Sequence, residues 1–159
     1  LLSVSASFSD FMFVLVGKED YFYARLKKTA RKQKIKNILF ADFVDDRELN
    51  MLYRFAVCYI FPSLYEGFGL PPLEAMARGL PVVSSDQGAL PEILGEAAHY
   101  FNPHIAGSLE KELSEILNSE IARAELAERG YKQAALYNWE DMAKKTLTIY
   151  TSSIKNQEE

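Results

Sequence analysis

The 159-residue sequence predicts an α/β fold: a Rossmann-like, doubly wound parallel sheet with helices on both faces. Three observations predict it. Short apolar runs alternate with longer amphipathic stretches along the chain, the pattern of repeated βα units. One run, Val57-Cys58-Tyr59-Ile60-Phe61, is apolar without interruption, as in a strand buried on both faces. That run empties into a glycine–proline turn and a helical stretch, and ligands of open α/β sheets bind in the crevice at such strand ends.

The elements follow in order. Phe11 to Val16 reads as the first complete strand, then a helix from Asp20 to Lys34. A strand at Ile38 to Ala41 precedes a helix from Asp46 to Ala56, whose face carries Leu49, Tyr53 and Phe55 as core residues. The strand 57–61 leads through Gly67 and Gly69 into a helix opening over Leu73 to Arg78. Leu80 to Ser84 and Ala97 to Phe101 are the last strands. Helices over Ser108–Leu117, Ile121–Tyr137 and Glu140–Ile154 complete the chain, with Asn138 as N-cap and Trp139 as an anchor packed on the domain. Residues 1–154 form one domain, and 155–159 a flexible tail.

Glu66 and Glu74 bracket Gly67-Phe68-Gly69-Leu70-Pro71-Pro72. Gly67 and Gly69 allow backbone angles closed to other residues and close approach of a ligand. Pro71 suits the first helical position, where a missing N–H costs nothing. The helix start leaves free N–H groups and a partial positive charge, a cradle for phosphate. Carboxylates facing a phosphate would repel it, so the pair suits hydroxyl groups on either side. A nucleotide-sugar, with a ribose at one end and a hexose at the other, has that layout. The local pattern alone also fits plain strand–turn–helix punctuation, with Glu74 a first-turn acid favoured by the helix dipole.

Ser63-Leu64-Tyr65-Glu66-Gly67-Phe68-Gly69-Leu70-Pro71-Pro72-Leu73-Glu74-Ala75-Met76-Ala77, continued by Gly79-Leu80-Pro81-Val82-Val83-Ser84-Ser85-Asp86, resembles the donor-binding, C-terminal half of a retaining GT-B glycosyltransferase of family 4. Phe13 to Gly17, Phe40 to Val44, Leu90-Pro91-Glu92 and Asn138-Trp139-Glu140 extend the resemblance over nearly the whole chain. It implies an enzyme transferring a hexose from a nucleotide-diphospho-sugar, UDP- or GDP-linked, to a polysaccharide or lipid-linked acceptor, with mannose favoured. Glu66 would contact donor-sugar hydroxyls and carry the catalytic role. The amides of Gly67, Phe68, Gly69 and Leu70 would hold sugar and phosphate oxygens, and Glu74 the ribose. Phe43 and Val44 would lie against the base. The family reaction retains anomeric configuration and needs no bound metal or other cofactor; helix terminus and basic side chains stabilise the diphosphate. Two other readings are a non-catalytic GT-B-like partner domain and a nucleotide-sugar epimerase.

The resemblance also implies parts beyond this chain: an N-terminal acceptor domain, and an opening strand with an Arg and a Lys that neutralise the diphosphate. Leu1 to Ser9 resembles only the end of the helix after that strand. The expectation is a fragment inactive alone, with its missing strand near the sheet's centre and an edge exposed.

Composition sets further bounds. A net charge of −4 gives no general attraction to nucleic acid. The single cysteine, Cys58, excludes an internal disulfide and reads as a small buried hydrophobe in a cytoplasmic protein. No apolar run reaches membrane-span length. Seven basic residues between Arg25 and Lys36 read either as a solvated helix face or as peripheral contact with an anionic membrane's inner face. His99 and His104 stand without a matching ligand set, so no metal site is expected. Asp86 either approaches the cleft or caps the next turn.

Overall fold

The computed structural model describes residues 2–155. Helix α1 (Leu2–Ser7) leads to β1 (Phe13–Val16), α2 (Tyr21–Lys32), β2 (Ile38–Asp42), α3 (Asp46–Phe55) and β3 (Tyr59–Phe61). Then come α4 (Leu70–Met76), β4 (Val82–Ser85), α5 (Leu90–Leu94), a 3-10 turn at Gly95–Ala97, and β5 (Ala98–Phe101). The helices α6 (Ser108–Asn118), α7 (Glu120–Ala134) and α8 (Trp139–Lys155) close the chain. The expected tail lies outside the described residues except for Lys155, which ends α8.

Among the described residues all strand pairing is parallel, and it falls into two hydrogen-bonded sheets, β1–β2 and β3–β4–β5. Phe13 pairs with Ile38 in the first; Tyr59 pairs with Val82, and Val82 with Ala98, in the second. The sheets still share a core. Phe13 and Leu15 of the β1 side meet Cys58 and Ile60 in one apolar cluster with Val83, Phe101, Leu113 and Leu126. On the other face of β3–β4–β5, Tyr59, Phe61, Val82 and Ala98 pack on Tyr53, Leu73, Met76, Leu90 and Leu94 from α3, α4 and α5. Helices on both faces of a parallel sheet are the doubly wound arrangement.

Several elements depart from the sequence expectation. The third strand begins at Tyr59, where its N–H meets the Pro81 carbonyl at 2.8 Å. It is half-buried, since it has a ladder partner on one side only. The Leu90-Pro91-Glu92 segment forms the unexpected helix α5, with its proline in the first turn. Phe55 and Trp139 are exposed (71% and 70%), not core and anchor. Phe55 ends α3 two residues after Tyr53, on the side of the helix opposite the face that Leu49 and Tyr53 bury. Asn138 does cap α8, its Oδ1 accepting from Asp141 N–H at 2.8 Å, yet Trp139 to Ser153 stay exposed. No described helix is long and apolar enough to cross a membrane.

Candidate donor site

The loop from Pro62 to Gly69 hangs between β3 and α4, and neighbouring elements fix its shape. Ser63 Oγ donates to Glu66 Oε1 at 2.8 Å and aims the carboxylate. Ser63 is itself held, because Ser85 Oγ at the end of β4 donates to its carbonyl. The Glu66 carbonyl accepts the Ala89 N–H at 3.3 Å. Gly88 makes that approach feasible: its φ is +60°, and a Cβ there would stand 3.0 Å from the Glu66 carbonyl oxygen. Glu66 is half-buried, with both backbone and side chain anchored.

The two glycines of the motif do different jobs. Gly69 is the N-cap of α4 at φ +100°, and a Cβ would stand 2.7 Å from Leu90 Cδ2, so only glycine fits. Gly67 was expected to need special angles too. It does not: its φ is not in the left-handed region, and an added Cβ would meet nothing within 4 Å. What Gly67 leaves is open space over its backbone.

Helix α4 starts at Leu70, three residues before the expected opening, with Pro71 and Pro72 in its first turn. Ordinarily the first turn presents several unpaired N–H groups. Two of these are absent here because proline has none. The donors in this cradle are therefore the loop amides through Leu70 rather than a full helix end. Phe68 turns its ring edge-on to Tyr137 at 5.4 Å, and Tyr137 Oη donates to the Ile93 carbonyl at 3.0 Å, which pins this side of the loop to the end of α7.

Glu74 lies one turn into α4 and is exposed. Its carbonyl accepts Arg78 Nη1 at 2.8 Å, Arg78 Nε donates to Asn50 Oδ1 at 2.7 Å, and the guanidinium covers the Tyr53 ring. Both glutamates act on Tyr59. Burial drives its phenol well above the ordinary range, and Tyr53, Glu74 and Glu66 push in the same direction. The structure thus gathers Glu66, the amide run Gly67–Leu70 and Glu74 around the end of β3.

Phe43 and Val44 follow the end of β2, in the β1–β2 sheet. They sit between Asp42, at φ +53°, and the capping box of α3, where Asp45 accepts from Glu48 N–H at 2.8 Å and Glu48 Oε2 accepts from Asp45 N–H at 2.9 Å. Phe43 is 79% exposed and belongs to neither apolar cluster. Asp86 takes a hydrogen bond from the Gln87 side chain and donates its N–H to the Phe101 carbonyl, so it braces the turn after β4. Cys58 packs against the core, and burial pushes its thiol up to about 11.

Sequence reasoning missed the supports Ser63, Ser85, Gly88 and Ala89. Their signal was faint: serines in and after apolar strands, and a Gln-Gly turn. It also gave His99 no ligand set, whereas the fold brings His99 beside Glu112 and Glu115.

Residues 2–133 match the model of the family described as glycosyl transferases group 1. The serotype-specific mannosyltransferase WbdA of Escherichia coli is 34% identical over 122 residues, which cover 77% of this chain and 15% of that protein. Sucrose-phosphate synthase from Thermosynechococcus elongatus superposes with a TM-score of 0.86 at 27% identity, over 98% of this chain and 41% of that one. The C-terminal domain of a glycosyl transferase group 1 protein (LpcC) from Francisella tularensis gives 0.72 at 26% identity, over 85% and 73%. The chain spans less than a third of the curated relatives it matches, such as WbdA (15%) and the O-antigen chain mannosyltransferase B of Escherichia coli (30%). The fold is that of the Rossmann-like C-terminal half of a GT-B glycosyltransferase, and the chain belongs to the glycosyl transferases group 1 family.

Proposed function

We propose that this chain is the donor-binding domain of a retaining, family 4 glycosyltransferase that moves a hexose, with mannose favoured, from a UDP- or GDP-linked sugar to a polysaccharide or lipid-linked acceptor. The observation that carries the proposal is the fixed Glu66 carboxylate beside the amide run Gly67–Leu70. In this reading Glu66 accepts hydrogen bonds from donor-sugar hydroxyls, and those amides receive sugar and phosphate oxygens. Glu74 takes the ribose hydroxyls, and Phe43 with Val44 lies against the base. The carboxylates act as acceptors at two ends of one ligand and do not work as an acid–base pair. Departure of the nucleoside diphosphate is eased by fixed donors already aimed at the developing charge. The prolines of α4 leave few helix-end donors, so basic side chains from the rest of the protein supply the remainder. No metal or cofactor takes part.

The open ladder sides of β1 and β3 support a further parallel strand between them in the longer protein. The acceptor domain is the other partner implied. Placement in the cytoplasm rests on the lone cysteine, Cys58, and contact with the inner membrane face on α2, where Lys27, Lys28 and Arg31 line a concavity of about 370 Å³ with Glu19. Flotation with anionic and neutral vesicles tests that contact, and equal binding to both removes it.

The donor reading is tested by titrating the protein with UDP, GDP and ADP while following amide shifts. Shifts are expected at Val44, Gly67 to Leu70 and Glu74; shifts elsewhere, unaffected by Glu74→Ala, sink the assignment. In the full-length enzyme Glu66→Ala is expected to lower kcat/KM by about 100-fold or more, the size of loss seen when one preorganised transition-state contact is removed, with little change in Tm. An unchanged rate contradicts the sugar-contact role, and points to the non-catalytic domain or to an epimerase using other residues.

A further inference from the structure

A second group of chemistry-bearing side chains stands where β5 meets α6. His99 Nδ1 lies 2.9 Å from Glu112 Oε2 and 4.0 Å from Glu115 Oε2. The three ligand atoms all lie within 4.8 Å of one another. The Glu112-Leu113-Ser114-Glu115 spacing puts both carboxylates on one side of α6, one turn apart. Leu113 and Ile116, fully buried, fix the rotation of that helix against the sheet. His99 alternates with Ala98 and Tyr100, which pack on the opposite cluster, so its ring faces α6.

We propose that His99, Glu112 and Glu115 form a site for a divalent transition-metal ion of the Zn²⁺ type. Ligand atoms about 2.0–2.2 Å from a tetrahedral ion stand about 3.4 Å apart. The separations of 2.9 and 4.0 Å straddle that value, so an ion would part His99 and Glu112 slightly and draw in Glu115, whose side chain is 52% exposed. One imidazole and two carboxylates suit Zn²⁺, Co²⁺ or Ni²⁺, whereas Mg²⁺ and Ca²⁺ take oxygen shells. A water fills the fourth position, since the side of the cluster beyond Glu115 is open to solvent. The ion clips β5 to α6. It shares no residue with the Glu66–Glu74 loop and is independent of the donor reading.

Lys111 sharpens the argument. Its Nζ lies 3.4 Å from Glu112 Oε1 and 3.8 Å from Glu115 Oε1, on the carboxylate oxygens turned away from His99. It is a rival cation on an exposed side chain (72%) that is free to swing away. If the cluster is only an ion-pair network, removing Lys111 weakens it. If the cluster is a metal site, removing Lys111 strengthens metal binding.

The test is calorimetric titration of the protein with ZnCl₂, repeated with CoCl₂ and followed by visible absorption. One ion per chain is expected. His99→Gln and Glu115→Gln should each weaken binding by about 10–100-fold, the loss typical of altered metal-site residues, and His104→Ala should leave it unchanged. Lys111→Ala should tighten it by about 2–5-fold, the value of one partly exposed charge contact. Glu115 is exposed on a helix, so its variant folds even if the His99 variant does not. Three results each overturn the proposal: no saturable binding, binding indifferent to Glu115→Gln, or binding abolished by His104→Ala.

Discussion

Replacing each glycine of the Glu66–Glu74 loop by alanine separates what holds the fold from what meets the ligand. At Gly69 the backbone sits at φ +100°, and the new methyl would stand 2.7 Å from Leu90 Cδ2. Left-handed geometry costs a residue with a Cβ about 1–2 kcal/mol. Forcing a methyl against a packed side chain costs about 1–3 kcal/mol more, and Leu90 is fully buried with no room to retreat. A loss of about 3 kcal/mol lowers Tm by about 6–12 °C in a domain of this size. At Gly67 neither term applies, since φ is not in the left-handed region and nothing lies within 4 Å. Gly67→Ala should hold Tm within about 2 °C, a shift of under 1 kcal/mol, yet it puts a methyl where a donor must approach the amides. It should weaken nucleotide-sugar binding in the full-length enzyme at least tenfold, the equivalent of about 1.4 kcal/mol. The assays are urea or thermal unfolding followed by circular dichroism, and calorimetric titration with the donor. Gly69→Ala unfolding with the wild type, or Gly67→Ala losing more stability than Gly69→Ala, refutes the division of roles.

Three further outcomes follow from the same geometry. Burial holds the Cys58 thiol at about 11 against an ordinary 9.0, so at pH 8 its thiolate fraction is about 100-fold below that of a free thiol. Iodoacetamide labelling read by mass spectrometry should slow to match and speed up only as pH rises towards 11; labelling at a free-thiol rate in the folded protein contradicts the packing. Tyr137→Phe loses the bond to the Ile93 carbonyl and keeps the ring against Phe68, so it should cost about 1 kcal/mol in urea unfolding with donor binding intact. Asp45→Ala removes the side-chain half of the α3 capping box, the acceptor of the Arg47 and Glu48 N–H groups, and should cost about 1 kcal/mol; an unchanged midpoint places the α3 start elsewhere.

The sequence by itself determined the α/β class, the order of the strands and of the longer helices, and the strand–turn–helix around Glu66 and Glu74. These follow from local causes: side-chain period along the chain, glycine and proline at turns, and a cap before a helix. Local signals also located Asn138 as a cap and Tyr53 as core. They failed where the answer depends on what packs across the molecule. Phe55 and Trp139 look like core residues in any window, and only the placement of α3 and α8 leaves them exposed. Gly67 and Gly69 look alike in sequence; Leu90, from a helix twenty residues on, makes one indispensable. Ser63 becomes the holder of Glu66 because Ser85 at the end of β4 fixes its carbonyl. His99 meets Glu112 and Glu115 only because β5 and α6 lie against each other. Periodicity tells a residue which face it lies on. Only the tertiary structure decides which residues share that face from the other side.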